Sequence, residues 1–472
     1  MSSAAHTLLS HERLHCGVTA PGQYLSGLDL FSGHIGIPVT LVYPQGMQVA
    51  HMREALVQTL RHYPLIAGRM KKDGEGQVYV DCNDAGIEFR VHEHDEPLPA
   101  HGPDSDFGSQ IKRYFKPFYP WQLVDKDMPL LQVNVHRFQG GGVILCCYGP
   151  HSLFDGAAYW QFMSDWSRMA RGLQVVTPAF DHQVVIEAGQ GKGVGDGLVD
   201  APPAPQGLVR DPDMRARLGV MLRLGWQALK MRKGVFRIPA ATMQQWKDEA
   251  KRALPADAGV SAVELAAAHC LKVTSPLTRS SRARRVGIVL DLRHRRRLRI
   301  PRDYFGNALC YGEACYTPQE IEQDSVAVLA SKCRPSSEQV SNDTLFSYLG
   351  LMEQYRQRRS IWRLFWDSAA GTLDGGLILN NCARFPMYDI NFGQGGPAWY
   401  DICAVAFRML MVVPTPEQDG GVDLHFTATK AELKAVAASL AAQVQASASA
   451  PAADPTPVSA QAEPSLPIEA YF

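Results

Sequence analysis

The chain has 472 residues, and its 47 Lys plus Arg balance 47 Asp plus Glu, for a formal net charge of zero. Hydrophobic residues make up 46% and charged residues 20%, which fits a folded globular chain and not a disordered one. The length exceeds what one ordinary core fills, so two domains are expected, and the neutral balance argues against a protein built to coat nucleic acid.

The ten cysteines include no C-x-x-C pair, and His and Cys show no zinc-type spacing. They read as free thiols in a reducing compartment, with no metal site. The start, "MSSAAHTLLSHERLHCG", has no basic lead into an apolar run, so no signal peptide is expected. No stretch approaches about 18 apolar residues, the length needed to span a bilayer. These readings give an expected cytoplasmic location with no membrane partner.

In chain order, "LVYPQGMQVAHMREALVQTLRHYPLIAGRM" predicts a strand, a Pro/Gly turn and a helix with Met52, Leu56 and Leu60 on one face. "GQVYVDCND" and "IEFRVHEHD" predict two short strands joined at "NDAG". The clearest hairpin is "PLLQVNVHRF", "QGGG", "VILCCYG". Its first arm alternates through Leu131, Val133 and Val135, and its second is apolar throughout, as a strand buried on both faces would be. "HSLFDG" follows, then a helix whose Tyr159, Phe162, Met163 and Trp166 form an i, i+3, i+4, i+7 stripe suited to the core.

Gly, Pro and Ala dominate "EAGQGKGVGDGLVDAPPAPQG", which reads as a linker. The expected division is therefore an N-terminal domain over 1–188, a linker or crossover over 189–233, a C-terminal domain over 234–446 and a disordered tail over 447–472. Within the second domain "GVFRIPAATMQQWKDEAKRAL" predicts a strand and helix. "SAVELAAAHCLKVTS" predicts a helix with Ser261 as N-cap and Glu264 completing a capping box. "RRVGIVLDLR" predicts a strand, "LMVVPTPEQDGGVDLHFTAT" a hairpin and "TKAELKAVAASLAAQVQ" a last helix. The tail is rich in Ala, Pro and Ser and lacks a period.

Among the residues that could carry chemistry, His151 stands just past a buried strand, with Asp155 and Gly156 following. A neutral imidazole there could serve as a general base. Taken alone, the spacing favours a histidine packed where a strand meets a helix. No G-x-S-x-G, P-loop or dinucleotide fingerprint is present. The basic run "RSSRARRVGIVLDLRHRRRLRIPRDYFGN" reads either as a solvated strand flank or as a phosphate-binding lip, and Asn307 ends it on a tight turn.

Together, "LSGLDL", "HYPLIAGRM" with "DCNDAGIEF", "HSLFDG", "VFRIPAATMQQWK", "LDLRHRRRLRIPRDYFGNA" and "NFGQGG" resemble, in order and spacing, the BAHD acyltransferase superfamily. The resemblance covers roughly residues 20 to 435. It implies an α/β (mixed α+β) fold of two chloramphenicol-acetyltransferase-like domains, each a mixed sheet flanked by helices, with a channel between them. It implies an enzyme that moves an acyl group from acyl-CoA, as co-substrate, to a hydroxyl or amine of a small-molecule acceptor in specialised metabolism. The expected protein is a cytoplasmic monomer with no tightly bound cofactor. Carried over to this sequence, His151 is the general base and Asp155 is structural and paired with an arginine, for which Arg293 is the candidate. Gly156 lets the chain turn past the channel. Asn391, Gly393 and Gly395 form a bracing loop, and Ser261 and Asn307 are assigned to the acyl donor.

The sequence departs from the family pattern where the loop's usual Asp is Asn391 and its Trp is Gln394. If the family Asp faces a buried arginine, that charge needs another acid here, and Asp389 is near in sequence. Upstream, "NNCARFP" lacks the family's Ser-Trp pair. Two other functions fit a similar sequence: a condensation-type acyltransferase fed by a carrier protein, and a non-catalytic binding protein. Pro150 stands where the condensation class usually has a second His.

Overall fold

A computed structural model describes residues 6–33, 35–103, 105–118, 122–190, 208–337 and 339–449. The core of the expected linker, 191–207, and nearly all of the expected disordered tail lie outside the described residues.

Two six-stranded mixed sheets dominate. The first runs in the order His6–Leu14, Ile87–Pro97, Gln132–Gln139, Val143–Pro150, Gly36–Tyr43, Trp399–Asp401. All its pairings are antiparallel except that between Ile87–Pro97 and Gln132–Gln139. The second runs Met231–Ile238, Val422–Thr429, Met409–Pro414, Leu377–Asn381, Arg284–Asp291, Leu309–Tyr316, with two parallel pairings around Leu377–Asn381.

The hairpin Gln132–Gln139/Val143–Pro150 turns through Gly140 and Gly141, both in the left-handed region. Every residue of Val143–Pro150 is buried: Leu145 and Cys147 belong to the core with the helices Val49–Leu60 and Gly156–Ala170, and Ile144 and Cys146 to a smaller cluster with Phe107, Ile111 and Tyr114. The helix Gly156–Ala170 follows, with Tyr159, Phe162, Met163 and Trp166 in the first core. The Trp166 indole donates to the Met52 carbonyl at 2.9 Å, fastening this helix to the helix Val49–Leu60.

The strands Val78–Asp81 and Ile87–Pro97, joined at the expected turn, belong to different sheets. Asp84 and Gly86 adopt positive φ between them, and the Asp84 carboxylate accepts from the backbone of Cys16 and Gly17 at 2.9 and 2.8 Å. The range read as linker contains the strand Val209–Arg210, paired with Phe365–Trp366, and the helix Met214–Lys230. Trp399–Asp401 lies in the range expected to form the C-terminal domain, yet it is an edge strand of the first sheet, opposite Thr40–Val42. The final helix, Lys430–Ser449, runs slightly past the expected domain end.

Candidate active site

Backbone pairing places His151. The strand Val143–Pro150 ends beside Gly36, and the His151 amide donates to the Ile35 carbonyl at 2.9 Å, so the imidazole leaves the sheet at its edge. The ring is half-buried and lines a cavity of about 690 Å³. Walls come from both sheets: Val39, Tyr148 and Tyr400 from the first, Val289, Tyr311 and Ile378 from the second, with Trp160 and Phe385 from outside the strands. Trp160 meets Tyr400 edge-on at 5.4 Å. The wall is largely apolar, and it supplies the low-polarity setting in which a few polar groups act strongly.

A buried relay fixes the imidazole. His151 Nδ1 lies 3.0 Å from Asn307 Oδ1. The orientation of the Asn307 amide is set by its other end, since Nδ2 donates to the His151 carbonyl at 2.7 Å and to Asp29 Oδ1 at 3.0 Å. An amide oxygen only accepts, so Nδ1 carries the proton and Nε2 is left as the basic nitrogen. Behind Asn307 is Asp29, fully buried at the start of the helix Gly27–Ser32. Its Oδ1 also accepts from the Asn307 amide at 2.9 Å. Oδ2 accepts from Ser26 N at 2.7 Å, Ser26 Oγ at 2.6 Å and His182 Nδ1 at 2.9 Å. Burial raises the Asp29 pKa, but the donors His182, Ser26 and Asn307 outweigh it and hold the carboxyl below its ordinary value.

Burial lowers the His151 pKa below its usual 6.5, with its own carbonyl, Asp155, Asn307 and Asp29 opposing in part. The ring is therefore neutral at neutral pH, the form a base requires.

Asp155 points the other way. It is fully buried, and its Oδ1 caps the following helix by accepting from Ala158 N at 3.0 Å. Arg293 grips both oxygens, Nη1 to Oδ2 at 2.9 Å and Nη2 to Oδ1 at 3.1 Å, and Ala308 N donates to Oδ2 at 3.0 Å. The guanidinium also donates to the carbonyls of Tyr304 and Gly306 and to Asp291. Burial lowers the Arg293 pKa, but Asp155 and Asp291 more than reverse that and raise it. This network fastens the 291–308 segment under the His151 turn. Gly156, first residue of the helix, is narrow because a Cβ there would stand 3.1 Å from the Phe385 ring on the cavity wall.

The structure gathers His151, Asp155, Gly156, Arg293 and Asn307 at one place. It does not bring Ser261 there. That hydroxyl accepts from Glu264 N at 3.3 Å as the N-cap of Ala262–Thr274, and Ser261 is absent from the cavity lining. Asn307 is fully buried, and its amide is committed to His151 and Asp29, so it holds the imidazole and offers nothing to a donor. The loop of Asn391, Gly393 and Gly395 also lies outside the lining. Asn391 Oδ1 accepts from Gly393 N at 2.7 Å and Gly395 N at 3.0 Å, and both glycines have φ near 100°. Asn391 therefore closes its own turn. Asp389 accepts from Gln418 at 3.0 Å. The loop braces the two halves: Gln45 donates to the Gly396 carbonyl at 2.8 Å, Tyr43 to that of Ile390 at 2.9 Å, and Phe392 packs on Trp166.

Asp29 and His182 went unread in the sequence. Ser26-x-x-Asp29 has capping-box spacing, which predicts the helix start but not the second task of the carboxylate.

Comparison with known proteins gives a consistent result. The profile described as "Transferase family" matches residues 24–441. Shikimate O-hydroxycinnamoyltransferase of Nicotiana tabacum is 25% identical over 381 residues, covering 78% of this chain and 82% of that protein. The structure of vinorine synthase superposes with a TM-score of 0.66 at 18% identity, covering 93% of this chain and 98% of that one. F. graminearum TRI101, complexed with coenzyme A and T-2 mycotoxin, superposes at 0.67 and 15% identity, covering 88% and 96%.

Proposed function

The chain belongs to the Transferase family of BAHD acyltransferases, and from that premise we propose that it transfers an acyl group from acyl-CoA to a hydroxyl or amine of a small-molecule acceptor, with His151 as general base. The observation carrying the reading is the Asp29–Asn307–His151 relay, which leaves a neutral ring with a basic Nε2 on the wall of an inter-sheet cavity.

In the proposed reaction both substrates occupy the cavity together. Nε2 of His151 takes the proton of the acceptor O–H or N–H as that atom attacks the thioester carbonyl carbon. The tetrahedral intermediate collapses, the C–S bond breaks, and the imidazolium returns the proton to the coenzyme A thiolate. The products are an ester or amide and free coenzyme A. Positioning plus proton transfer suffices, so no acyl-enzyme forms. His294 lines the cavity, and the exposed Arg296, Arg297, Arg299 and Arg302 follow it in sequence. They supply a cationic lip for the phosphates of coenzyme A. We propose that the protein works as a monomer.

The test is a screen of purified protein against acyl-CoAs paired with small alcohols and amines, reading acceptor-dependent release of coenzyme A thiol. Acceptor-dependent release that disappears in His151→Ala is the expected result. Transfer from an acyl-carrier protein but from no acyl-CoA would move the enzyme to the condensation type, and tight ligand binding without turnover would make it a binding protein.

A further inference from the structure

The helix Met214–Lys230 faces the wrong way for an ordinary surface helix. Its body-facing side holds the buried Arg217, which donates to Asp211 at 2.8 Å and to the carbonyls of Pro212 and Arg363 at 3.1 and 3.2 Å. Gln227 on the same side reaches Thr372 at 3.3 Å. The outward side carries Met214, Leu218, Met221, Leu222, Trp226 and Leu229, between 56% and 73% exposed. These recur at helical spacing, so they form one continuous apolar stripe and not scattered side chains. Trp362, 53% exposed, meets the helix from the body side, with the Arg217 guanidinium 5.0 Å from its ring.

Charge indicates what covers the stripe. The chain as a whole is neutral, yet this helix has four basic residues and no acidic one. Arg215, Arg223 and Lys230 are exposed along it, and Lys230 Nζ stands 4.4 Å from the centre of the Trp226 ring. A second copy docked on itself through this face would set cations against cations, with no carboxylate of the helix to receive them. A Trp- and Leu-rich face edged by Lys and Arg matches the headgroup zone of an anionic bilayer, where the rings enter the interface and the cations meet phosphates.

We propose that Met214–Lys230 docks the protein on an anionic lipid surface, lying in the plane of the interface. No helix among the described residues is long and apolar enough to cross a membrane, and docking of this kind needs none. The expectation of no membrane partner rested on the lack of a span and does not address it. The strand Val209–Arg210, just before the helix, pairs with Phe365–Trp366, and Trp366 lines the reaction cavity. This strand pair links the start of the helix to one residue of the cavity wall.

The test is co-sedimentation of the full chain with vesicles of phosphatidylcholine alone and of phosphatidylcholine with phosphatidylserine, at low and at physiological salt. Binding should favour the anionic vesicles by about tenfold and weaken with salt. The double variant Leu222→Gln/Trp226→Gln should lose about tenfold while keeping the wild-type melting temperature, and Arg215→Ser/Arg223→Ser should lose affinity for the anionic vesicles only. Equal sedimentation of wild type and the apolar double variant would overturn the proposal, as would no sedimentation of either. A lipid-free dimer abolished by Leu222→Gln/Trp226→Gln, without vesicle binding, would overturn it in favour of self-association.

Discussion

Asn307 binds His151 twice, accepting from the ring at 3.0 Å through Oδ1 and donating to the backbone carbonyl at 2.7 Å through Nδ2. The first contact sets the tautomer, and the second keeps the amide from flipping and offering its NH2 to the ring. His151→Ala should lower kcat at least about 100-fold with the melting temperature retained. Asn307→Ala should lower kcat about tenfold or more with a smaller effect on KM, because the wrong tautomer and a mobile ring dilute the reactive state. Near-wild-type turnover in His151→Ala would refute the assignment of the base.

The pH profile follows from burial. Only the neutral ring accepts the acceptor's proton, so kcat/KM falls as pH drops through the His151 pKa. Burial holds that pKa below 6.5, and the acid limb should therefore lie below 6.5. A limb at or above that value would show that the surrounding carboxylates dominate instead.

Asp155→Asn tests the opposite role. It breaks a buried, two-pronged pair with Arg293 and leaves the guanidinium undercompensated. Loss of one partner of such a pair typically costs about 3–5 kcal/mol, read as a lower urea midpoint and poor soluble yield. The molecules that do fold should keep more activity than His151→Ala. An unchanged melting temperature would contradict the structural role.

Asn391→Asp should be nearly neutral, since a carboxylate oxygen can accept from the same Gly393 and Gly395 amides. Asn391→Ala removes both bonds from a turn held at positive φ and should cost about 1–2 kcal/mol. Thermal melting of the two variants side by side would separate a loop-closing Asn from one paired with a distant charge.

What could be read from the sequence was the local part. The helix Gly156–Ala170 and the all-apolar strand before it have unambiguous periods, and the Ser261 capping box sits where its spacing places it. The site's wiring is not local. Asp29, His151 and Asn307 meet across more than a hundred residues at each step, and no periodicity reports such a contact. The helix Met214–Lys230 escaped because the Gly- and Pro-rich stretch before it set the reading of the whole range as linker. Its stripe at Leu218, Leu222, Trp226 and Leu229 was present in the letters all along. Asn307 was assigned to the donor, whereas its buried amide is committed to His151 and Asp29.

The strand Trp399–Asp401 completes one sheet and Met409–Pro414 lies inside the other, so residues 402–408 stitch the two halves together along the cavity. At the first end of the stitch, buried Lys233 of the second sheet pairs with Asp401 and donates to the Ile402 carbonyl at 2.8 Å. At the other, buried Arg408 pairs with Glu432 and donates to Thr274 at 3.0 Å. A seam knotted at both ends does not gape. Parting the halves along this seam would have to break two buried ion pairs, so the stitch resists opening where it is fastened.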